Sequence, residues 1–195
     1  MTNFKKLALI YSIPSIMFVG CEEQGATDST MVSDPNVTLA LKTSNLKILE
    51  VINQARAEAR DCHDGQGLVG PSQPLTWNAD LYSSAYEHSN DLATSDTFSH
   101  KGSGVESDIT GSNNGKQSLF NERIKANGYV DYEIIGENIA GGKATIESAV
   151  DAWLESPAHC TNIMEKDFTE IGVAVVVNLE SRYRVYWTQN FGGKE

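Results

Sequence analysis

Thr145-Ile146-Glu147-Ser148-Ala149-Val150-Asp151-Ala152-Trp153-Leu154-Glu155-Ser156-Pro157-Ala158-His159 carries the clearest structural signal in the chain. Ile146, Ala149, Val150, Trp153 and Leu154 recur at helical spacing and trace one apolar stripe, with Thr145 placed to cap the first turn. Pro157 disfavours helical geometry at Ser156, so the spacing predicts that this helix ends there. Downstream the period changes from helical to extended: residues 171–177 and 184–191 read as two strands joined by the turn-like Asn178-Leu179-Glu180-Ser181. Upstream the signals are helical again. Ile48, Leu49, Ile52, Ala55 and Ala59 predict an amphipathic helix over 45–60. Asn78 is placed to cap a helix running to about Ser95, with Trp77 positioned to staple onto Tyr82. Leu81, Ala85, His88 and Leu92 share one face of that helix. A shorter helix near 119–127 stops at Gly128, and extended chain is expected around 132–135. Helices come first and strands last, an order that points to an α+β layered domain rather than to repeated βαβ units.

Beyond this framework, 195 residues leave room for one ordinary domain and an appendage. A net charge of −11 argues against a nucleic-acid binder, whose affinity rests on Lys and Arg neutralising phosphates. It equally disfavours adhesion to anionic membrane by surface charge alone. Lys5 and Lys6 precede a mainly apolar run over 7–19, which is the pattern of an export signal and falls short of the ~20 residues that span a bilayer. Phe18-Val19-Gly20-Cys21 resembles a bacterial lipobox, with Phe18 where leucine is usual, and makes Cys21 the expected lipidated residue. Two or more acyl chains there form a durable membrane anchor, at ~0.8 kcal/mol per buried methylene. Resemblance to Gram-negative lipoproteins, with Glu22 rather than Asp after the cysteine, favours the bacterial outer membrane, on its periplasmic or surface face. The expected organisation is a signal segment at 1–20, a lipidated residue and polar tether at 21–42, and one domain at 43–195. Residues 102–118 are loop-forming throughout, and a loop of that length is expected to be either functional or mobile.

Self-sufficient chemical motifs are few. There is no His-Glu-x-x-His, no phosphate-binding glycine loop, no Gly-x-Ser-x-Gly and no Cys-x-x-Cys. Cys62 and Cys160 are the thiols left once Cys21 is assigned to lipid. In an oxidising compartment their economical reading is a disulfide that closes a loop of roughly 100 residues. The alternative is a zinc site built from Cys62-His63 and His159-Cys160, although neighbours on a helix diverge by about 100° and chelate one ion poorly. His88 reads as a packing residue on its helix face, and His63 carries no functional pattern.

Six ordered segments add what spacing alone cannot: Phe98-Ser99-His100, Gly136-Glu137-Asn138-Ile139-Ala140, Trp153-Leu154-Glu155-Ser156-Pro157-Ala158-His159, Asn162-Ile163-Met164, Phe168-Thr169-Glu170-Ile171-Gly172-Val173 and Tyr186-Trp187-Thr188-Gln189-Asn190-Phe191. Together with Leu75-Thr76-Trp77-Asn78, they resemble the bacterial branch of the CAP superfamily, the SCP-like group of cysteine-rich secretory, venom-antigen and pathogenesis-related proteins. The resemblance covers nearly all of 45–193. It implies an α-β-α sandwich with a central antiparallel sheet.

It also implies a cleft with two histidines and two acids. By motif, His100 and His159 match the histidines and Glu137 the first acid. For the second acid Glu155 is the nearest candidate, offset by one position, and Glu170 is the other. Two imidazoles and a carboxylate form a sensible half-shell for a divalent cation, Zn²⁺ or Mg²⁺. A zinc-bound water with Glu137 or Glu155 as base would make a hydrolase of peptide or envelope polymer. The leading expectation is instead a binding domain, with a small lipid, a cation or a protein as ligand. A structural envelope scaffold is the third reading. Oligomeric state is not specified by any of these features.

Overall fold

The computed structural model describes residues 40 and 42–194. The expected signal segment, the lipobox with Cys21 and most of the tether lie outside the described residues. Among the described residues no helix is long and apolar enough to cross a membrane. The elements, in chain order, are α1 (Asn45–Arg56), β1 (Arg60–Asp61), β2 (Leu68–Val69), β3 (Thr76–Trp77), α2 (Ala79–Ser95), α3 (Ile109–Ser112), α4 (Phe120–Ala126), β4 (Ile134–Gly141), α5 (Ile146–Leu154), α6 (Pro157–Met164), β5 (Glu170–Val177) and β6 (Val185–Gly193).

The main sheet has the order β3-β5-β6-β4. The β5–β6 and β4–β6 pairs are antiparallel, as expected, whereas the two-residue β3 runs parallel to β5 at one edge. Side chains alternate across the strands and divide the core in two. On one face, Ile171, Val173, Trp187 and Phe191 pack with Ile48 and Ile52 of α1, Trp153 of α5 and Ile163 of α6. On the other face α2 lies along β5 and β6. A Cβ at Gly172 would overlap the backbone nitrogen of Tyr82, so α2 can rest this closely on β5 only over a glycine. The result is the three-layer α-β-α sandwich.

Local signals explain most of the boundaries. The Asn78 side chain accepts hydrogen bonds from Asp80 N (2.9 Å) and Leu81 N (3.1 Å), capping α2. The Trp77 and Tyr82 rings stand 5.7 Å apart, forming the expected staple. Leu81, Ala85, His88 and Leu92 are all fully buried on the sheet-facing side. Thr145 caps α5 through Ser148 N at 3.2 Å. At Pro157 the outcome differs from the expectation. α5 stops at Leu154, Ser156 is extended, and Pro157 opens α6 rather than merely terminating α5. The same fixed φ that breaks a helix from within suits its first turn, where no N–H is needed. Similarly, the extended chain expected at 132–135 continues as β4 to Gly141.

Cys62 and Cys160 form a disulfide with Cα atoms 5.5 Å apart, joining the segment after α1 to the middle of α6. Closing a loop of this length stabilises the fold by roughly 4–5 kcal/mol in the chain-entropy model. The zinc alternative for these cysteines therefore does not apply. Arg56 makes a second tie between the same elements. Fully buried, it donates to the carbonyls of Gln73 (2.9 Å), Ile163 (2.5 Å), Glu165 (2.9 Å) and Phe168 (3.4 Å). Burial lowers its pKa to about 10, with Glu165 opposing the shift.

Candidate functional site

β4 forms one edge of the sheet, and the two helical layers meet around it. Glu137, in the middle of β4, points towards the α2 layer and is 5% exposed. Both of its oxygens are engaged. Arg123 of α4 donates Nη2 to Oε1 at 3.1 Å and to Oε2 at 2.9 Å. His100 Nδ1 meets Oε1 at 3.0 Å. Asn190, with its amide oriented to satisfy both ends, donates to Oε2 at 3.2 Å. Burial alone would raise the Glu137 pKa. The charges of His88 and Arg123 and the hydrogen bonds from His100 and Arg123 outweigh it, holding the carboxyl below its usual range.

A carboxylate only accepts, so His100 carries its proton on Nδ1 and presents the Nε2 lone pair outward when neutral. The His100 side chain is 48% exposed, so Glu137 fixes from below a ring that solvent reaches from above. Opposite it stands His159, on α6 and in the other helical layer, with ring centroids 6.2 Å apart. Partial burial, and then the nearness of His100, lower the pKa of His159. Its backbone is fixed by an amide network: Asn138 Nδ2 donates to His159 O at 3.2 Å and to Gln189 Oε1 at 2.9 Å. Asn162 Nδ2 in turn donates to Asn138 Oδ1 at 2.9 Å and to Glu137 O at 3.3 Å. Trp153 Nε1 donates to the next outward carbonyl of β4, Ile139 O, at 2.9 Å.

Neither of the remaining two acids makes a hydrogen bond or ion pair with His100, Glu137 or His159. Glu155 is exposed at the C-terminal end of α5. Glu170 begins β5, separated from β4 by β6, where it accepts from Asn78 Nδ2 at 2.9 Å and Tyr129 OH at 2.8 Å. Among the described residues no three His, Cys, Asp or Glu groups are arranged to hold a metal ion. The donor set explains this. His100 and His159 offer two nitrogens, whereas Glu137 stands behind His100 in the place of an orienting partner rather than a ligand. The expected half-shell of two imidazoles and one free carboxylate is thus not formed in this geometry.

Two participants were not legible as such in the sequence. His88, fully buried, meets Ser99 O through Nε2 at 2.9 Å and lies 3.8 Å from Glu137 Oε1. A carbonyl accepts, so Nε2 is protonated; burial lowers the pKa of the ring, with Glu137 opposing the shift. His88 thereby positions the residue before His100 in addition to filling the helix face. Arg123, which belongs to no recognisable motif, is the second. It also donates to His100 O (3.0 Å), Ser118 O (3.3 Å) and Ser118 Oγ (2.8 Å), making it the hub of the site. The available signal was an arginine on the apolar stripe of its helix, between Phe120 and Ile124.

The 102–118 segment is held by buried carboxylates rather than left open. Asp91 accepts from Ser103 N, Ser103 Oγ and Ser107 Oγ, and Asp108 accepts from Gly104 N, Gly111 N and Ser118 N. Burial opposes ionisation of Asp108, but these hydrogen bonds keep its pKa below the ordinary value.

The cysteine-rich secretory protein family, CAP, matches this chain over residues 49–191. The uncharacterized protein YkwD of Bacillus subtilis is 32% identical over 148 residues, which are 76% of this chain and 46% of that protein. The chain spans less than half the length of the curated relatives it matches. Among solved structures, an extracellular protein containing a SCP domain from Bacillus anthracis superposes with a TM-score of 0.55 at 24% identity, covering 76% of this chain and 40% of that one. An outer surface protein of Borrelia burgdorferi gives a TM-score of 0.55 at 18% identity, covering 78% and 97%. These structural likenesses concern the fold.

Proposed function

The chain belongs to the cysteine-rich secretory protein (CAP) family, and from that premise we propose that it is an exported cell-envelope protein that binds a ligand where His100 and His159 face each other across the edge of β4. One observation carries the choice of binding over hydrolysis: both oxygens of Glu137 are already occupied by Arg123, His100 and Asn190. A general base needs a free lone pair within reach of water, and Glu137 has neither exposure nor spare acceptor sites. What the surface offers a ligand is a pair of imidazoles, one with its tautomer fixed. Such a pair suits a soft or borderline cation completed by water, or the polar end of a small organic ligand.

Export is supported by the signal-like residues 1–20, by the disulfide and by the likeness to extracellular and outer-surface proteins. Anchoring through lipidated Cys21, on the bacterial outer membrane, is the proposed attachment. Replacing Cys21 by Ser should then release the protein from the membrane fraction, and unchanged partitioning would dispose of the anchor.

Calorimetric titration of the full chain tests the site. Zn²⁺ is expected to bind weakly through the two imidazoles, with the heat lost in His159→Ala, while Mg²⁺, which prefers oxygen ligands, gives none. Absence of a zinc heat in the native protein removes the cation as ligand and leaves the organic one. Cleavage of peptides or peptidoglycan that disappears in Glu137→Gln would overturn binding in favour of hydrolysis.

A further inference from the structure

A cavity of about 600 Å³ opens between the first half of α2, the short α3 and the C-terminal end of α4. None of His88, His100, Glu137 or His159 lines it. Its size falls within the roughly 300–1,000 Å³ typical of small-molecule sites. The 102–118 segment builds one wall, so the same hydrogen bonds that order this segment also shape the cavity.

The lining has a definite chemistry. Tyr82 and Tyr86, one turn apart on α2, are 36% and 49% exposed, with ring centroids 6.4 Å apart. Asn90 continues the same face, and Asn113, at the end of α3, also lines the cavity. No side-chain hydrogen bond to another described residue engages Asn90 or Asn113, so both amides are free to donate and accept. Glu87, 7% exposed, is the sole charged residue of the lining. Its carboxylate is fixed by Thr110 N at 2.7 Å through Oε1 and by Asn127 Nδ2 at 2.7 Å through Oε2.

We propose that this cavity is a saccharide-binding site for an uncharged hexose or N-acetylhexosamine unit. A pyranose ring has an apolar C–H face, which suits the tyrosine rings, and an edge of hydroxyl or acetamido groups, which suits free amides. The Glu87 carboxylate lines the cavity with one protein donor on each oxygen, which leaves acceptor capacity for a sugar hydroxyl. It repels phosphates, fatty-acid carboxylates and sulfated or uronic sugars, and no Lys or Arg in the lining offsets that repulsion. A purely apolar ligand would leave two amides and a carboxylate facing hydrocarbon without partners.

The test is saturation-transfer NMR and calorimetry on the full chain with three named probes: N,N′-diacetylchitobiose, cellobiose and a sulfated heparin disaccharide. At least one neutral disaccharide should bind with Kd of about 1 mM or tighter, and the sulfated probe should not. Tyr86→Ala, at an exposed position, should weaken binding about tenfold. Asn113→Ala should weaken it severalfold, with thermal melting unchanged in both variants. His159→Ala should leave sugar binding intact, which separates this site from the proposed imidazole site. Failure of both neutral sugars to bind, equal binding of the sulfated probe, or unaltered affinity in Tyr86→Ala would overturn the assignment.

Discussion

Arg56 and Arg123 are both buried guanidinium groups, one in each helical layer, and they are neutralised in different ways. Arg56 is held by four backbone carbonyls drawn from the chain before β3 and from the last turn of α6 onward. Nothing it touches reaches a functional surface, so it is a clasp. Arg123 is held by the Glu137 carboxylate, which has capacity left for His100. The contrast shows that the partner, rather than the burial, determines what a buried charge can do. Carbonyls end the chain of interactions, whereas a carboxylate passes it on to an exposed ring.

The largest expected effect is at the clasp. Arg56→Ala leaves four carbonyls short of a donor and a cavity behind, and should cost at least about 4 kcal/mol in urea denaturation. Arg123→Ala leaves Glu137 as a buried carboxylate without its cation, at a cost of about 3 kcal/mol or more. A smaller loss at Arg56 than at Arg123 would break the comparison, because the clasp would then not be the more structural of the two. Replacing both members of the ion pair, as Arg123→Met with Glu137→Leu, should bring stability to within about 1–2 kcal/mol of native. The His100 ring should nevertheless lose its fixed tautomer, visible in imidazole ¹⁵N shifts. Retention of the native shifts would show that Glu137 does not orient His100.

The smallest effect concerns acid. His88 and His159 have folded pKa values below their ordinary 6.5, so the unfolded chain binds their protons first as pH falls. Their contribution to stability is complete above about pH 6.5 and declines as pH drops from there towards the folded values. Glu137 is also depressed, so its contribution is present above its ordinary 4.5 and declines below it. His88→Gln, which preserves a donor to Ser99 O, should flatten the first part of this decline, leaving only the share that belongs to His159. Urea midpoints between pH 7 and 5 should therefore fall less steeply in the variant than in the native protein. An unchanged slope would assign the acid sensitivity elsewhere.

Features decided by neighbours in sequence could be read without the fold. The Asn78 cap, the Trp77–Tyr82 staple and the Thr145 cap each depend on residues within five positions. Motif resemblance extended this to His100, Glu137 and His159, whose positions around β4 no local spacing could define. What escaped depended on partners far along the chain. Arg123 resembles an ordinary helix cation until β4 brings Glu137 beneath it, and His88 resembles a packing residue for the same reason. Residues 102–118 read as loop because the carboxylate of Asp91, which holds much of the segment, comes from α2.

β4 is an edge strand, and an unpaired edge is a template on which another chain can add a strand. Its outward carbonyls at Glu137 and Ile139 are already taken by Asn162 and Trp153. The side chains that tie α6 and α5 to the site therefore also act as gatekeepers against intermolecular sheet growth. Loss of Trp153 or Asn162 would expose the molecule to self-association before it touched any ligand.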